Sequence, residues 1–176
     1  EQADGEEDVI ELDGVRVRTR QEPEKIYRML CKPRGFVTTM HDEKGRRSVA
    51  ELVADLPERV YPVGRLDCNS EGLLLLTNDG ALAHDLLSPK KHVDKTYLVK
   101  PEKPLSAKDI HRLENGLDIG DEKPTAPSKA RLTENGDLLL TIHEGRFHQV
   151  KRMLQAVDNQ VRKYSQCIQA SVQHEC

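Results

Sequence analysis

The 176-residue sequence contains no tryptophan, and aromatic residues make up only 3% of it. A core must therefore be assembled from Leu, Val, Ile and Ala. Long apolar runs are missing too: none approaches the ~18–20 residues that a bilayer-spanning helix needs. No charged-then-apolar amino terminus suggests a signal peptide. The expectation is a cytoplasmic, monomeric chain with no membrane partner. The four cysteines, Cys31, Cys68, Cys167 and Cys176, form no C-x-x-C pair, which argues against a zinc or redox motif. A domain of this length can hold its core without disulfides, so reduced thiols are expected. No G-x-G-x-x-G, G-x-x-x-x-G-K or G-x-S-x-G run occurs, which argues against a phosphate loop and a hydrolase elbow. His84 and His92 lack a third ligand nearby in sequence, so no metal and no cofactor are expected.

Strong net charge is also missing, but the value of −3 hides an asymmetry. Residues 1–13 carry seven acids and no base, and removing their charge leaves the remainder at +4. Within 144–163, Arg146, Lys151, Arg152, Arg162 and Lys163 stand against Glu144 and Asp158. Such a patch suits phosphate contact, and it equally suits a solvated helix face.

What is present reads as an α+β chain with a mixed, mostly antiparallel sheet and flanking helices. Residues 1–8 form an acidic lead that composition marks as disordered. Asp13-Gly14 between "VIEL" and "VRVR" signals a hairpin, followed by a linker at "QEPEK". "IYRMLCKP" reads as a strand stopped by Pro33, and "FVTT" as a second short one. Ser48 with Glu51 predicts a capped helix over "VAELVADL". "LLLLT" (73–77) is bounded by Gly72 and Asn78-Asp79-Gly80, which predicts a buried strand and then a helix. "KTYLVKP" (95–101) predicts a strand. Ser106 and Asp109 cap "AKDIHRLENG". Asn135-Gly136 joins two strands, and Phe147, Val150, Leu154 and Val157 lie at helical spacing. No regular βαβ alternation appears.

One stretch, "GRLDCNSEGLLLLTNDG" (64–80), sets Asp67 beside the most hydrophobic run in the chain. An acid on a loop entering a buried strand is held firmly at the edge of an apolar interior. That placement suits a nucleophile or general base, and it equally suits a turn-capping aspartate. An ionised carboxylate there needs a cation nearby; Arg65, two residues away, would point to the same side of an extended segment.

This stretch resembles the signature of the RsuA-type ribosomal-RNA pseudouridine synthases. "KPRGFVTT" (32–39), "SPKKHVDKTYLV" (88–99) and "EGRFHQVKRML" (144–154) resemble three further blocks of that family, in its order. The resemblance implies isomerisation of uridine to 5-ribosyluracil, with Asp67 as the catalytic residue. Asp67 would attack C1′ of the ribose or C6 of the base, or take a proton from the sugar. The resemblance further implies that Tyr97 packs on the flipped uracil and abstracts the C5 proton, and that Lys151 pairs with Asp67. Arg65 would fill space or hold phosphate on nucleotide extrusion, and Leu74 and Leu76 would line the pocket or the core behind it. Arg146, His148, Gln149 and Arg152 would contact RNA. No metal or cofactor is implied. The partner would be ribosomal RNA, with 16S rRNA favoured by the "HQVK" and "SPKKH…KTYLV" forms.

Two departures accompany the match. Residues 1–24, lead and hairpin, stand where the family carries an S4-type RNA-binding domain, and would be its remnant or linker; residues 25–176 would be the catalytic domain. At the carboxyl end, Asp158 replaces an expected Gly and no L-x-R element is evident, so the last strand is expected to be altered or cut short. A 23S rRNA enzyme, or an RNA-binding or assembly module that kept the fold without turnover, are the alternatives.

Overall fold

The computed structural model describes residues 10–17, 24–88, 91 and 93–169. The acidic lead, most of the linker at 21–25, His92 and residues 170–176 lie outside them. Strands β1 (Ile10–Leu12) and β2 (Val15–Val17) form the expected antiparallel hairpin. Its turn places Asp13 and Gly14 at φ 54° and 77°, the left-handed geometry that favours Asp-Gly.

Among the described residues the main sheet has seven strands. Its order runs β3 (Tyr27–Lys32), β5 (Glu71–Thr77), β9 (Val161–Gln169), β6 (Lys95–Pro101), β8 (Leu138–Ile142), β7 (Lys129–Leu132), and the short β4 (Tyr61–Pro62) pairs with β5. Every pairing is antiparallel except β5 with β9. Helices α1 (Gly80–Leu87), α2 (Ala107–Glu114) and α3 (Gln149–Ala156) complete an α+β fold. The caps follow local chemistry: Asp79 accepts from Leu82 N at 3.0 Å, and Ser106 and Asp109 form a capping box.

Three elements differ from their sequence expectation. "FVTT" forms no strand; Val37 makes one isolated bridge to Ser48, because Thr38 turns its hydroxyl to the Leu66 backbone instead of a ladder. Ser48 and Glu51 do cap a helix, with Glu51 accepting from Ser48 N at 2.8 Å, but it is a 3₁₀ turn over Val49–Val53. Phe147 leaves the apolar stripe of α3 and is 69% exposed, since the helix begins only at Gln149.

Two apolar clusters hold the sheet. The larger packs Val99, Leu138 and Leu140 of the sheet against Leu113 of α2 and Met153 and Leu154 of α3. The smaller contains Val49, Leu66 and Leu74, and Tyr97 packs against both. In β5, Leu74 and Leu76 are fully buried while Leu73 and Leu75 are half-buried, the alternation of a strand. Burying one such leucine is worth roughly 1.5–3 kcal/mol.

Candidate active site

The loop entering β5 is fastened from below. Lys32 is fully buried at the end of β3, and its Nζ donates to Ser70 O at 2.7 Å and Pro33 O at 3.0 Å. Burial pushes its pKa down, opposed by Cys68, Asp67 and Glu71. Gly35 N donates to Cys68 O at 2.7 Å, and Thr38 Oγ1 donates to Leu66 O at 2.7 Å. The 32–39 block is thus the cradle of the 64–70 loop.

Asp67 sits at the lip of this cradle with its side chain 24% exposed. Its Oδ2 accepts from Lys151 Nζ at 2.8 Å and from Tyr164 Oη at 2.5 Å. Its Oδ1 faces His148 Nε2 at 3.4 Å. Burial pushes the carboxyl up, but the hydrogen bonds from Lys151 and Tyr164 and the Lys151 and His148 charges outweigh it, leaving the pKa below its ordinary value. The group is therefore ionised at neutral pH. Arg65, expected nearby as a cation, makes no ion pair with it among the described residues; it stands exposed at the rim.

Asp67 borders a pocket of about 400 Å³ that Leu66, Leu74, Tyr97, Ile142 and Tyr164 also line. That volume is in the range of small-ligand sites. Burial first, then the Asp67 charge, raises the Tyr97 pKa to about 12. In the resting site Tyr97 is therefore protonated, offering a ring and a hydroxyl donor. Its ring lies 6.2 Å from that of Tyr164, tilted by 57°. Lys95, Arg65 and Arg146 add positive charge to the pocket wall. Among the described residues no His, Cys, Asp and Glu group could hold a metal ion.

The RNA pseudouridylate synthase family model matches residues 26–156. The chain belongs to this family. It is 43% identical over 166 residues to the ribosomal large subunit pseudouridine synthase B of Bacillus subtilis, covering 89% of this chain and 65% of that one. It is 40% identical over 136 residues to the ribosomal small subunit pseudouridine synthase A of Yersinia pestis, covering 77% of this chain and 58% of that one. A solved pseudouridylate synthase superposes with a TM-score of 0.76 at 37% identity, over 81% of this chain and 62% of that one. The chain thus spans less than two thirds of the length of these relatives.

Within the synthase fold, the "EGRFHQVKRML" block turns out to be largely a clamp. Arg146 donates to Glu144, Asp121, Lys123 O and Pro124 O. Arg152 donates to Ile119 O at 3.0 Å and Phe147 O at 3.1 Å and pairs with Asp121. Buried Gln149 donates to Glu144 at 2.6 Å and accepts from Arg146 N at 3.0 Å. These three were expected to contact RNA. Their polar groups are engaged within the protein, where they tie the 118–126 loop to the start of α3, and Arg146 and Gln149 also line the Asp67 pocket. Leu76 lies in the core rather than on the pocket wall, on the buried face of β5. Leu74 and His148 do line the pocket, and His148 enters α3 at φ 50°, a left-handed conformation.

At the carboxyl end, a strand does follow α3. β9 runs for nine residues in the middle of the sheet. Asp158 adopts φ 56°, the region where Gly is at home and which Asp tolerates. Tyr164, on this strand, was missed by sequence reasoning. The one available signal was that it is among only four tyrosines in an aromatic-poor chain. Lys32 and Thr38 were quoted within a motif, but only the fold reveals what they hold.

Proposed function

We propose that this chain isomerises a uridine of ribosomal RNA to pseudouridine, with 16S rRNA as the first substrate. One observation carries the reading: the ionised Asp67 carboxylate, gripped by Lys151 and Tyr164, borders a nucleoside-sized pocket lined by Tyr97. The glycosidic bond and C5 are out of reach in a stacked helix, so the target nucleotide must be flipped out. Asp67 then acts through its freer Oδ1 on C1′, on C6 or on a ribose proton. The C1′–N1 bond breaks with its electron pair on N1, the uracil turns, and C1′ bonds to C5 as any bond to Asp67 is released. The C5 proton passes to solvent water and N1 takes one up, so the product is an isomer of the substrate. Tyr97 packs its ring against the base. The proposal includes a monomer acting in the cytoplasm on RNA or on an assembling small subunit. A second reading, 23S rRNA, draws support from the 43% identity to a large-subunit enzyme.

Unmodified 16S and 23S transcripts, tritiated at uridine C5, test both. Tritium release is expected from 16S RNA, and release from 23S RNA alone selects the second reading. Asp67→Asn is expected to lower release by about 10³-fold or more. RNA binding without release from either transcript would overturn the enzyme reading in favour of a binding module.

A further inference from the structure

The chain has two phenylalanines. Phe36 is buried, whereas Phe147 is 69% exposed beside the site. Phe147 is not loosely held. Its ring stacks on His148 at 3.8 Å between centroids with an interplanar angle of 23°, and its carbonyl accepts from Arg152 at 3.1 Å. The left-handed His148 backbone sets the direction in which the pair projects. Both rings line the Asp67 pocket, and both also line a second pocket of about 520 Å³ bounded by Val37, Thr38, His41 and Lys44. The stacked pair is therefore shared by two cavities, each large enough for a nucleoside.

We propose that the Phe147–His148 stack is a platform on which the base next to the target uridine lies, in the second pocket, while the uridine occupies the first. This rests on the pseudouridylation reading for the identity of the occupant of the first pocket. Arg65 lines both pockets, and no ion pair engages it among the described residues. It stands where the phosphate linking the two nucleotides would pass. Lys44 adds positive charge to the second pocket; of its three acids, Asp42 is neutralised by Arg46 at 2.6 Å, Asp67 is paired with Lys151 at 2.8 Å, and Glu43 makes no ion pair among the described residues. A base suits the exposed ring because every base has a π-face, so the subsite tolerates sequence and discriminates by stacking strength.

The test compares wild-type protein, Phe147→Ala and Phe147→Trp on an rRNA fragment carrying the mapped target uridine. Three forms of the RNA are used: intact, abasic at the 5′ neighbour, and abasic at the 3′ neighbour. In single turnover, Phe147→Ala is expected to raise the half-saturating concentration of intact RNA about 10-fold, with little change in the rate at saturation, and Phe147→Trp to behave as wild type. On one abasic RNA, wild type should fall to the level of Phe147→Ala, and Phe147→Ala should lose nothing more. Equal losses from Phe147→Ala on all three RNAs, or none on intact RNA, would overturn the platform. The same comparison is read by fluorescence anisotropy in an Asp67→Asn background, using the tightest-binding 16S or 23S fragment. A coupling seen there without turnover in the wild type sinks the pseudouridylation reading and leaves the platform standing; turnover without coupling does the reverse.

Discussion

At the scale of single residues, the two oxygens of Asp67 are not equivalent. Oδ2 carries both short hydrogen bonds, whereas among the described residues Oδ1 has only His148 at 3.4 Å. Removing a donor from Oδ2 stabilises the protonated acid and raises the Asp67 pKa. Lys151→Met removes a hydrogen bond and a charge, Tyr164→Phe a hydrogen bond alone. The acidic limb of the pH profile of single-turnover rate should therefore move to higher pH in both, and further in Lys151→Met. Tyr164→Phe should retain activity within about 10-fold at pH 8, where Asp67 is ionised in either case. An acidic limb that stays in place in Lys151→Met would mean that another group titrates. Asp67 stood out in the sequence because an acid beside four leucines is a contradiction, but spacing alone suited a turn cap equally well, and its proposed role came from the resemblance. Lys151 was legible only through the resemblance. Tyr164 was not, since 97 positions separate it from Asp67 and only the strand order brings them together.

At the scale of elements, the parallel junction between β5 and β9 decides whether the site exists. It rests on two register pairs, Glu71 with Ser165 and Gly72 with Gln166, and on a Lys163–Glu71 ion pair at 2.6 Å. Gly72 has φ 118°, and a Cβ there would overlap the Gln166 backbone. Gly72→Ala is expected to cost more than about 1 kcal/mol, since both the dihedral and the space are incompatible. Urea unfolding should show a lower midpoint with an unchanged slope; a midpoint equal to wild type would show that β9 can move away without cost. Helix starts were readable in advance, because Asp79, Ser106 and Ser48 cap through neighbours three residues on. The sheet order was not, because pairing partners are set by tertiary packing rather than local pattern. "FVTT" failed as a strand for the same reason: its threonine serves the Asp67 loop.

At the scale of the whole molecule, the site lies along the seam between two apolar clusters, with Tyr97 touching both, and carboxylates fasten the loops around it. A hydrogen bond from Arg46 brings Asp42 down to about 2. Asp79 is lowered by the Leu82 N–H, Asp109 by the Ser106 hydroxyl and Asp121 by Arg152. In Asp67 the donors outweigh burial, as above. For each group the folded pKa lies below the unfolded one, so below neutrality the unfolded chain binds more protons. The resulting stability is fully present above the unfolded aspartate value of ~3.9 and is lost as pH falls through the folded values. The urea midpoint should therefore hold level from pH 7 to about pH 5 and fall steadily between about pH 4 and pH 2. Several of these pairs are exposed, so 1 M salt should shrink the drop by screening their charges, while the hydrogen-bonded part survives. A midpoint that stayed level to pH 2.5 would mean that these carboxylates are no better held in the folded chain than in the unfolded one. The ionised state of Asp67 would then have to come from solvent rather than from Lys151 and Tyr164.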